Sequence, residues 1–247
     1  MWGCPPEYLL DVQKQLALKH ASGDGAFKPR STLDLGCGFR IRNPFFAELK
    51  YGVDLAADPG RNVSAWDAAL EPLPFSDSSM DFITAFDFLE HVPRIIYWGG
   101  GGEGGEGGWE EGERPRSRYP VVELMNEVHR VLKPCGIFFS VTPTYPGISA
   151  FYDPTHVNFM TMETMVHYFD NELQLANRYG FKGSFFPDMG SLRMVGDHAH
   201  VTMQALKDSC EAPPRDENDW REGWRARDLL YVEPQDELEI LLQLHKH

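Results

Sequence analysis

The sequence has no apolar run near the roughly 20 residues that cross a bilayer, so no membrane-spanning helix is expected. Its opening, "MWGCPPEYLL", has no basic n-region and no long apolar stretch, so no secretory leader is expected. Cys4, Cys37, Cys135 and Cys210 lie far apart and make no Cys-x-x-Cys pair. That spacing argues against a zinc knot or a disulfide framework, and for free thiols in a reducing, cytoplasmic setting. There is no basic run, and the formal net charge is -14. A field of that sign repels phosphate backbones, which makes nucleic acid an unlikely partner.

What the chain does have is core-forming material. Of its 247 residues, 42% are hydrophobic and 13% aromatic, enough for one globular domain. Three parts are expected: an N-terminal helix and loop over 1–30, a main domain over 31–207, and a charged tail over 208–247 ending in an amphipathic helix, "DELEILLQLHKH". Within the main domain, "STLDLG" (31–36), "YGVDLA" (51–56), "SMDFITAFDFLEHV" (79–92) and "GIFFSVTP" (136–143) read as strands or strand starts. "YPVVELMNEVHRVLK" (119–133) and "ETMVHYFDNELQLANRYG" (163–180) carry helical spacing, the second with Gly180 as its C-cap. "RNPFFAELK" (42–50) is short for a helix with its loops, and "GFKGSFFP" (180–187) with "HAHVTMQALK" (198–207) suggests a closing hairpin. Strands alternating with helices predict an α/β fold built around a parallel sheet. "GGGGEGGEGG" (99–108) breaks that order, and 99–118 reads as a surface insertion: a lid over the site, or a low-complexity expansion in a tolerant loop.

The chemistry starts at "LDLGCG". The strand ends at Asp34-Leu35 and two glycines follow, Gly36 able to take a turn conformation and Gly38 able to let a ligand approach bare backbone. Asp54, after "YGV", stands where an acidic residue at the end of the second strand accepts hydrogen bonds from ribose hydroxyls. The plain alternative is a solvated strand-end carboxylate. Dinucleotide oxidoreductases compete for this pattern, but they need a third glycine, and here Arg40 and Ile41 follow.

"LDLGCG", "GVD", "WDAALEPLPFSDSSMDFI", "FLEHV" and "EVHRVLKPCGIFFSVTP", in that order, resemble the class I S-adenosylmethionine-dependent methyltransferases, especially their type-11-like group, over residues 31 to 207. The resemblance implies a doubly wound, mostly parallel, seven-stranded Rossmann-like sheet with a final antiparallel hairpin strand and a shortened first crossover. It implies S-adenosylmethionine as cofactor, held by Asp34, Gly36, Cys37, Gly38, Asp54, Leu55, Asp67, Ala68 and Phe86. The glycine loop would line the methionine part and Asp54 the ribose. Asp67 with the Ala68 backbone would meet the adenine amine, and Phe86 would lie toward the acceptor, unless it is plain core packing.

Methyl transfer from a sulfonium needs alignment more than acid–base help, but a hydroxyl acceptor gains from a base. "FYDPTHVNFMTMETM" (151–165) follows the fifth strand of that arrangement and offers Asp153 and His156 as catalytic candidates. The alternative is a turn made by Asp153-Pro154-Thr155 and pinned by His156. Asp87, Glu90 and His91 stand at i, i+3 and i+4, so a helical turn would gather them on one face. With His156 they resemble the Glu-x-x-Glu-His plus distant His set of some metal-dependent O-methyltransferases, which leaves a magnesium, manganese or zinc ion possible. His198 and His200 alternate along a strand and read as ordinary residues. The expected function is methylation of an oxygen on a small-molecule or sugar-like acceptor. The alternatives are a degenerate cofactor- or partner-binding protein of the same fold, or an NAD or nucleotide-sugar enzyme.

Overall fold

The structure, a computed structural model, describes residues 30–98, 116–189, 192–208, 210–213 and 231–232. The expected N-terminal helix, most of the Gly-rich insertion and the terminal helix lie outside the described residues. No described helix is long and apolar enough to cross a membrane.

The strands are β1 (Ser31–Leu35), β2 (Leu49–Asp54), β3 (Val63–Ala65), β4 (Met80–Phe86), β5 (Ile96–Trp98), β6 (Arg116–Arg118), β7 (Leu132–Pro143), β8 (Phe185–Pro187), β9 (Arg193–Val195), β10 (His198–Ala205) and β11 (Tyr231–Val232). The helices are α1 (Pro120–Val131), α2 (Ser149–Tyr152) and α3 (Thr164–Phe169). The main sheet runs β11-β9-β10-β7-β4-β1-β2-β3, with β8 also on β10. The β3-β2-β1-β4-β7 stretch is parallel throughout, and β10 is antiparallel to β7, β8 and β9. This is the mostly parallel α/β sheet with an antiparallel closing strand that the sequence led us to expect. It holds nine strands where seven were expected, because β9 and β11 add short edge pairings. β5 and β6 form a separate two-stranded ribbon flanking the insertion.

The period of two along the strands sorts side chains to two faces. Leu33, Leu35, Ile83, Ala85 and Phe138 face a core shared with Val122, Met125 and Val128 of α1. Phe82, Ile137, Phe139 and Val141 face the other way and meet Phe45 and Ala47. That second face is covered at β4 and β7 by an irregular segment, 42–48, which is the shortened first crossover in physical form. Phe45 stacks on Phe82 with ring centroids 4.3 Å apart.

Two expectations are corrected. The helical pattern over 163–180 is broken into α3 and a 3-10 turn, Leu175–Tyr179. Asp170 ends the helix by accepting hydrogen bonds from the Glu172 and Leu173 amides, and Gln174 turns left-handed at φ 47°. Gly180 caps the segment as expected, at φ 93°. Cys135 and Cys210 are joined in a disulfide, not free. The sequence hid the pair because 75 residues separate the two cysteines; pairing of β7 with β10 draws the segments together. Cys37 is a buried free thiol.

Candidate functional site

In a doubly wound sheet, the crevice opens beyond the carboxyl ends of the strands where the strand order reverses. Here that point lies between β1 and β4, which are neighbours in space while β2 and β7 continue outward on opposite sides. The loop after β1 and the turn after β4 therefore share one rim.

The two glycines of that loop do different work. Both have left-handed φ, 61° at Gly36 and 57° at Gly38. A Cβ on Gly36 would come within 2.5 Å of the Phe88 ring, whereas one on Gly38 would meet nothing within 4 Å. Gly36 is needed for packing, and Gly38 leaves bare backbone beside open space. The Gly38 amide donates to Asp54 Oδ2 at 2.8 Å, tying the loop to the end of β2. Gly52 is filled by its neighbours: its Cβ would strike Cys37 Sγ and Ile41. Cys37 thus serves as a packing residue, and burial pushes its thiol up to about 11.

Beyond Asp54, Leu55 is 78% exposed. The Trp66 amide donates to the Asp54 carbonyl at 2.7 Å, which sets Asp67 and Ala68 beside this strand end. Asp67 Oδ1 accepts from the Ala69 amide, and Ala68 is buried in the core. Asp34, Gly36, Cys37, Gly38, Asp54, Leu55, Asp67 and Ala68 thus gather around the carboxyl ends of β1, β2 and β3.

Asp34 is fully buried and accepts hydrogen bonds from Thr84 Oγ1 and from the Arg42 amide, at 2.8 and 2.7 Å. Burial pushes its carboxyl up to about 6, and the Arg42 charge and these bonds hold it from going further. The Arg42 guanidinium reaches across the rim. It donates to the Gly36 carbonyl at 3.3 Å and the Phe86 carbonyl at 2.9 Å, and its centre lies 4.6 Å from the Phe86 ring centroid. Phe86 is half-buried, and its other contact is the Phe139 edge in the core.

The other side of the rim assembles from three separate segments. After β4, Asp87 is left-handed at φ 49°, and Leu89–His91 forms a single 3-10 turn. That turn corrects the expected one-face set. Glu90 and His91 meet His156, with ligand-type atoms all within 4.8 Å of one another, and Asp87 stands outside this group. Asp87 instead lies 3.3 Å from His198 Nε2 and 3.9 Å from Arg42 Nη1.

Glu90 is 1% exposed, and neither carboxyl oxygen has a hydrogen-bond partner. Burial, reinforced by the Asp87 and Asp153 charges, pushes it up to about 8. Its backbone carbonyl accepts from the Val157 and Asn158 amides, which fastens the 151–160 segment over the turn. His156 Nε2 lies 4.0 Å from Glu90 Oε1 and 3.9 Å from Asp153 Oδ2, and its Nδ1 is 3.4 Å from the Ala150 carbonyl. His91 Nδ1 faces the Thr155 carbonyl at 3.2 Å. Asp153 Oδ1 accepts from both the amide and the hydroxyl of Thr155, building the turn that the Asp-Pro-Thr sequence suggested and holding its carboxyl below the usual range.

Sequence reasoning missed Arg42 and His198. Arg42 stands four residues after Gly38, and a basic residue just past the glycine loop was a usable signal. His198 carried none, since its partner lies over a hundred positions earlier in the chain.

No family model and no curated protein matches the chain. Solved structures do resemble it in chain path. One is an S-adenosylmethionine-dependent methyltransferase from Archaeoglobus fulgidus, 15% identical, covering 81% of this chain and 94% of its own, with a TM-score of 0.44. A methyltransferase of Bacillus halodurans described as putative is 14% identical over 84% of this chain and 100% of its own, with a TM-score of 0.45. The [4+2]-cyclase SpnF is 14% identical over 80% of each chain, with a TM-score of 0.41. At these identities and scores the functional reading rests on the residues themselves.

Proposed function

We propose that the chain transfers a methyl group from S-adenosylmethionine to an oxygen of a small-molecule acceptor. The observation that carries this is the rim between β1 and β4: Gly38 presents open backbone, Asp54 is fixed beside it, and Glu90, His91 and His156 gather across the way. When bound, S-adenosylmethionine supplies an electrophilic methyl on a good leaving group. The chain's own part is to hold and align. Gly36 to Gly38 would run along the methionine end, Asp54 would accept from the ribose hydroxyls, and exposed Leu55 would lie against the adenine. The Asp67–Ala68 segment would face the adenine edge, and Phe86 would mark the boundary with the acceptor.

The residues also fit a divalent ion. A buried carboxylate with two unpartnered oxygens is costly unless something charged completes it. If His91 donates from Nδ1 to the Thr155 carbonyl and His156 from Nδ1 to the Ala150 carbonyl, each keeps a lone pair on Nε2, the arrangement that metal-bound imidazoles show. Glu90, His91 and His156 would hold the ion, and an ion there would bind an acceptor oxygen and lower its proton affinity. The nitrogen and oxygen donors suit magnesium, manganese or zinc. The other role considered for His156, as base with Asp153, finds no hydrogen bond to support it, their nearest atoms lying 3.9 Å apart.

An acidic chain suits a neutral or cationic acceptor better than nucleic acid. Sugar-like and phenolic hydroxyls both meet that description. The Cys135–Cys210 disulfide removes the free-thiol argument for a reducing, cytoplasmic setting. One observation favours a binding protein of the same fold without turnover: Arg42 already bridges the Gly36 and Phe86 carbonyls at the rim. Calorimetry with S-adenosylhomocysteine and with NAD, followed by a mass-spectrometric search of metabolite pools for methylated product, separates these readings. Binding of S-adenosylhomocysteine with product supports the enzyme, binding without product supports the binding protein, and no heat with either compound overturns both.

A further inference from the structure

We propose that His198, oriented by Asp87, is the base that takes the proton of the acceptor hydroxyl. The inference rests on the methyl-transfer reading above and adds a residue to it.

His198 opens β10 opposite Pro143, at the carboxyl end of β7. Asp87 follows β4, and its amide donates to the Val141 carbonyl of β7 at 2.9 Å. The sheet therefore delivers the two side chains to the same rim from strands on either side of β7. His198 Nε2 lies 3.3 Å from Asp87 Oδ1, while Arg42 Nη1 lies 3.9 Å from Asp87 Oδ2. One carboxylate oxygen thus holds the imidazole and the other faces a permanent cation. Burial alone would push the Asp87 carboxyl up, but the His198 hydrogen bond and the His198, Arg42 and His156 charges outweigh it and hold it below the usual range. Asp87 stays an anion, so it orients the ring and stabilises the imidazolium without taking the proton itself, as the acid of a catalytic triad does.

With Nε2 given to Asp87, the ring's other nitrogen is the basic one. Nδ1 of His198 has no partner among the described residues. His156 is differently placed: its side chain is 9% exposed against 22% for His198, and both of its nitrogens face protein oxygens. Glu90, His91 and His156 make a holding site, and the accessible imidazole is His198. In the step, the acceptor O–H proton passes to His198 Nδ1 as the new O–CH3 bond forms and the S–CH3 bond breaks, sulfur keeping the electron pair. The sulfonium charge is lost as the imidazolium charge appears beside Asp87, so charge and protons balance.

The charged and titratable groups around the dyad include Arg42 from the loop after β1, His156 across the rim, Glu90 three residues beyond Asp87, Asp197 next to His198, and His200 two residues along β10. His200 is buried and held neutral, pushed down to about 4, so it does not compete for the proton.

Nitrogen-15 NMR of histidines in the full chain tests the dyad without any acceptor. The expected result is a neutral His198 protonated at Nε2, whose Nε2 resonance moves in Asp87→Asn. A neutral ring protonated at Nδ1, or an Nε2 resonance that ignores Asp87→Asn, overturns the proposal. Kinetics on whichever metabolite pool yields methylated product tests the role. His198→Ala should lower kcat by about 100- to 10,000-fold and erase the acid limb of the kcat–pH profile. Its affinity for S-adenosylhomocysteine should stay at the parental value. Parental kcat in His198→Ala overturns the base, whereas a parent that binds no S-adenosylhomocysteine overturns the methyl-transfer reading instead.

Discussion

The two halves of the rim are built by different means. The half proposed for the cofactor, from Asp34 to Ala68, comes from one continuous stretch of chain and is made largely of backbone, glycine and strand-end carboxylates. The acceptor half is made of side chains, and they arrive from 86–91, 153–156 and 198. A site of backbone tolerates change in its surroundings and fails at its glycines. A site of converging side chains depends on long-range packing and fails at any contributor. The two halves should therefore respond to substitution in separable ways.

The largest effect is expected where a buried acid anchors the acceptor half. Glu90→Ala should reduce turnover by about 100-fold or more while leaving S-adenosylhomocysteine affinity unchanged, the range typical of a lost metal ligand or its close support. Chelator should do the same to the parent, and added divalent ion should restore the parent alone. A matched loss of cofactor affinity would dissolve the division between halves.

Glu90 also gives a pH signature of stability in the metal-free chain. Its carboxyl is pushed above its ordinary value of 4.5, to about 8, so the folded state binds more protons than the unfolded one across that window. Stability contributed by the protonated form is full below the unfolded value and is lost as pH rises through the folded one. Asp34, pushed up to about 6, adds the same sign at lower pH. Melting temperature should thus fall between pH 5 and pH 9 (about the span of these shifts), and Glu90→Gln should flatten the upper part of that fall. Excess divalent ion should reverse it. A parent whose melting temperature climbs across the window contradicts the buried, unpaired carboxyl.

On the cofactor half, Gly36→Ala should destabilise the fold more than Gly38→Ala. Both carry the left-handed cost of about 1–2 kcal/mol, but only Gly36 adds a collision with Phe88. Chemical denaturation of the two variants gives the order directly, and equal losses would remove Phe88 as the reason for the first glycine. On the same half, Asp54→Ala should cost about 1–3 kcal/mol of cofactor affinity with melting little changed, readable by calorimetry. Parental affinity would take Asp54 out of the ribose role.

The same contrast explains what could be read from sequence. "LDLGCG" and Asp54 are legible because the strand, the turn and the next strand end lie within 24 residues and obey local rules of glycine and alternation. The parallel sheet was legible for the same reason. The helix over 119–133 was nearly so, its buried positions recurring at helical spacing in α1. The acceptor half was legible in part: the family resemblance grouped Glu90, His91 and His156, but not the departure of Asp87 or the arrival of His198. Nothing near Asp87 says that it turns left-handed and leaves Glu90 and His91, because that turn is set by its amide bond to Val141. Nothing near His198 distinguishes it from His200, because only the pairing of β10 with β7 puts one at the rim and the other in the core. The disulfide escaped for the same reason, being a product of strand pairing and not of cysteine spacing.

The shortened crossover has one further consequence. Arg42 gathers the rim while Phe45, three residues on, plugs the second face of the sheet against Phe82 and Phe139. A full helix would separate such duties by several turns and let each drift on its own. Here one short tether carries both, with Asn43 bonding back to Ala47 across the kink. An insertion or deletion between 42 and 48 therefore moves ligand geometry and core packing together. Selection for a new acceptor could change exposed positions of the 151–160 segment such as Tyr152 and Val157, but it could not tune this tether without retuning the stability of the whole sheet.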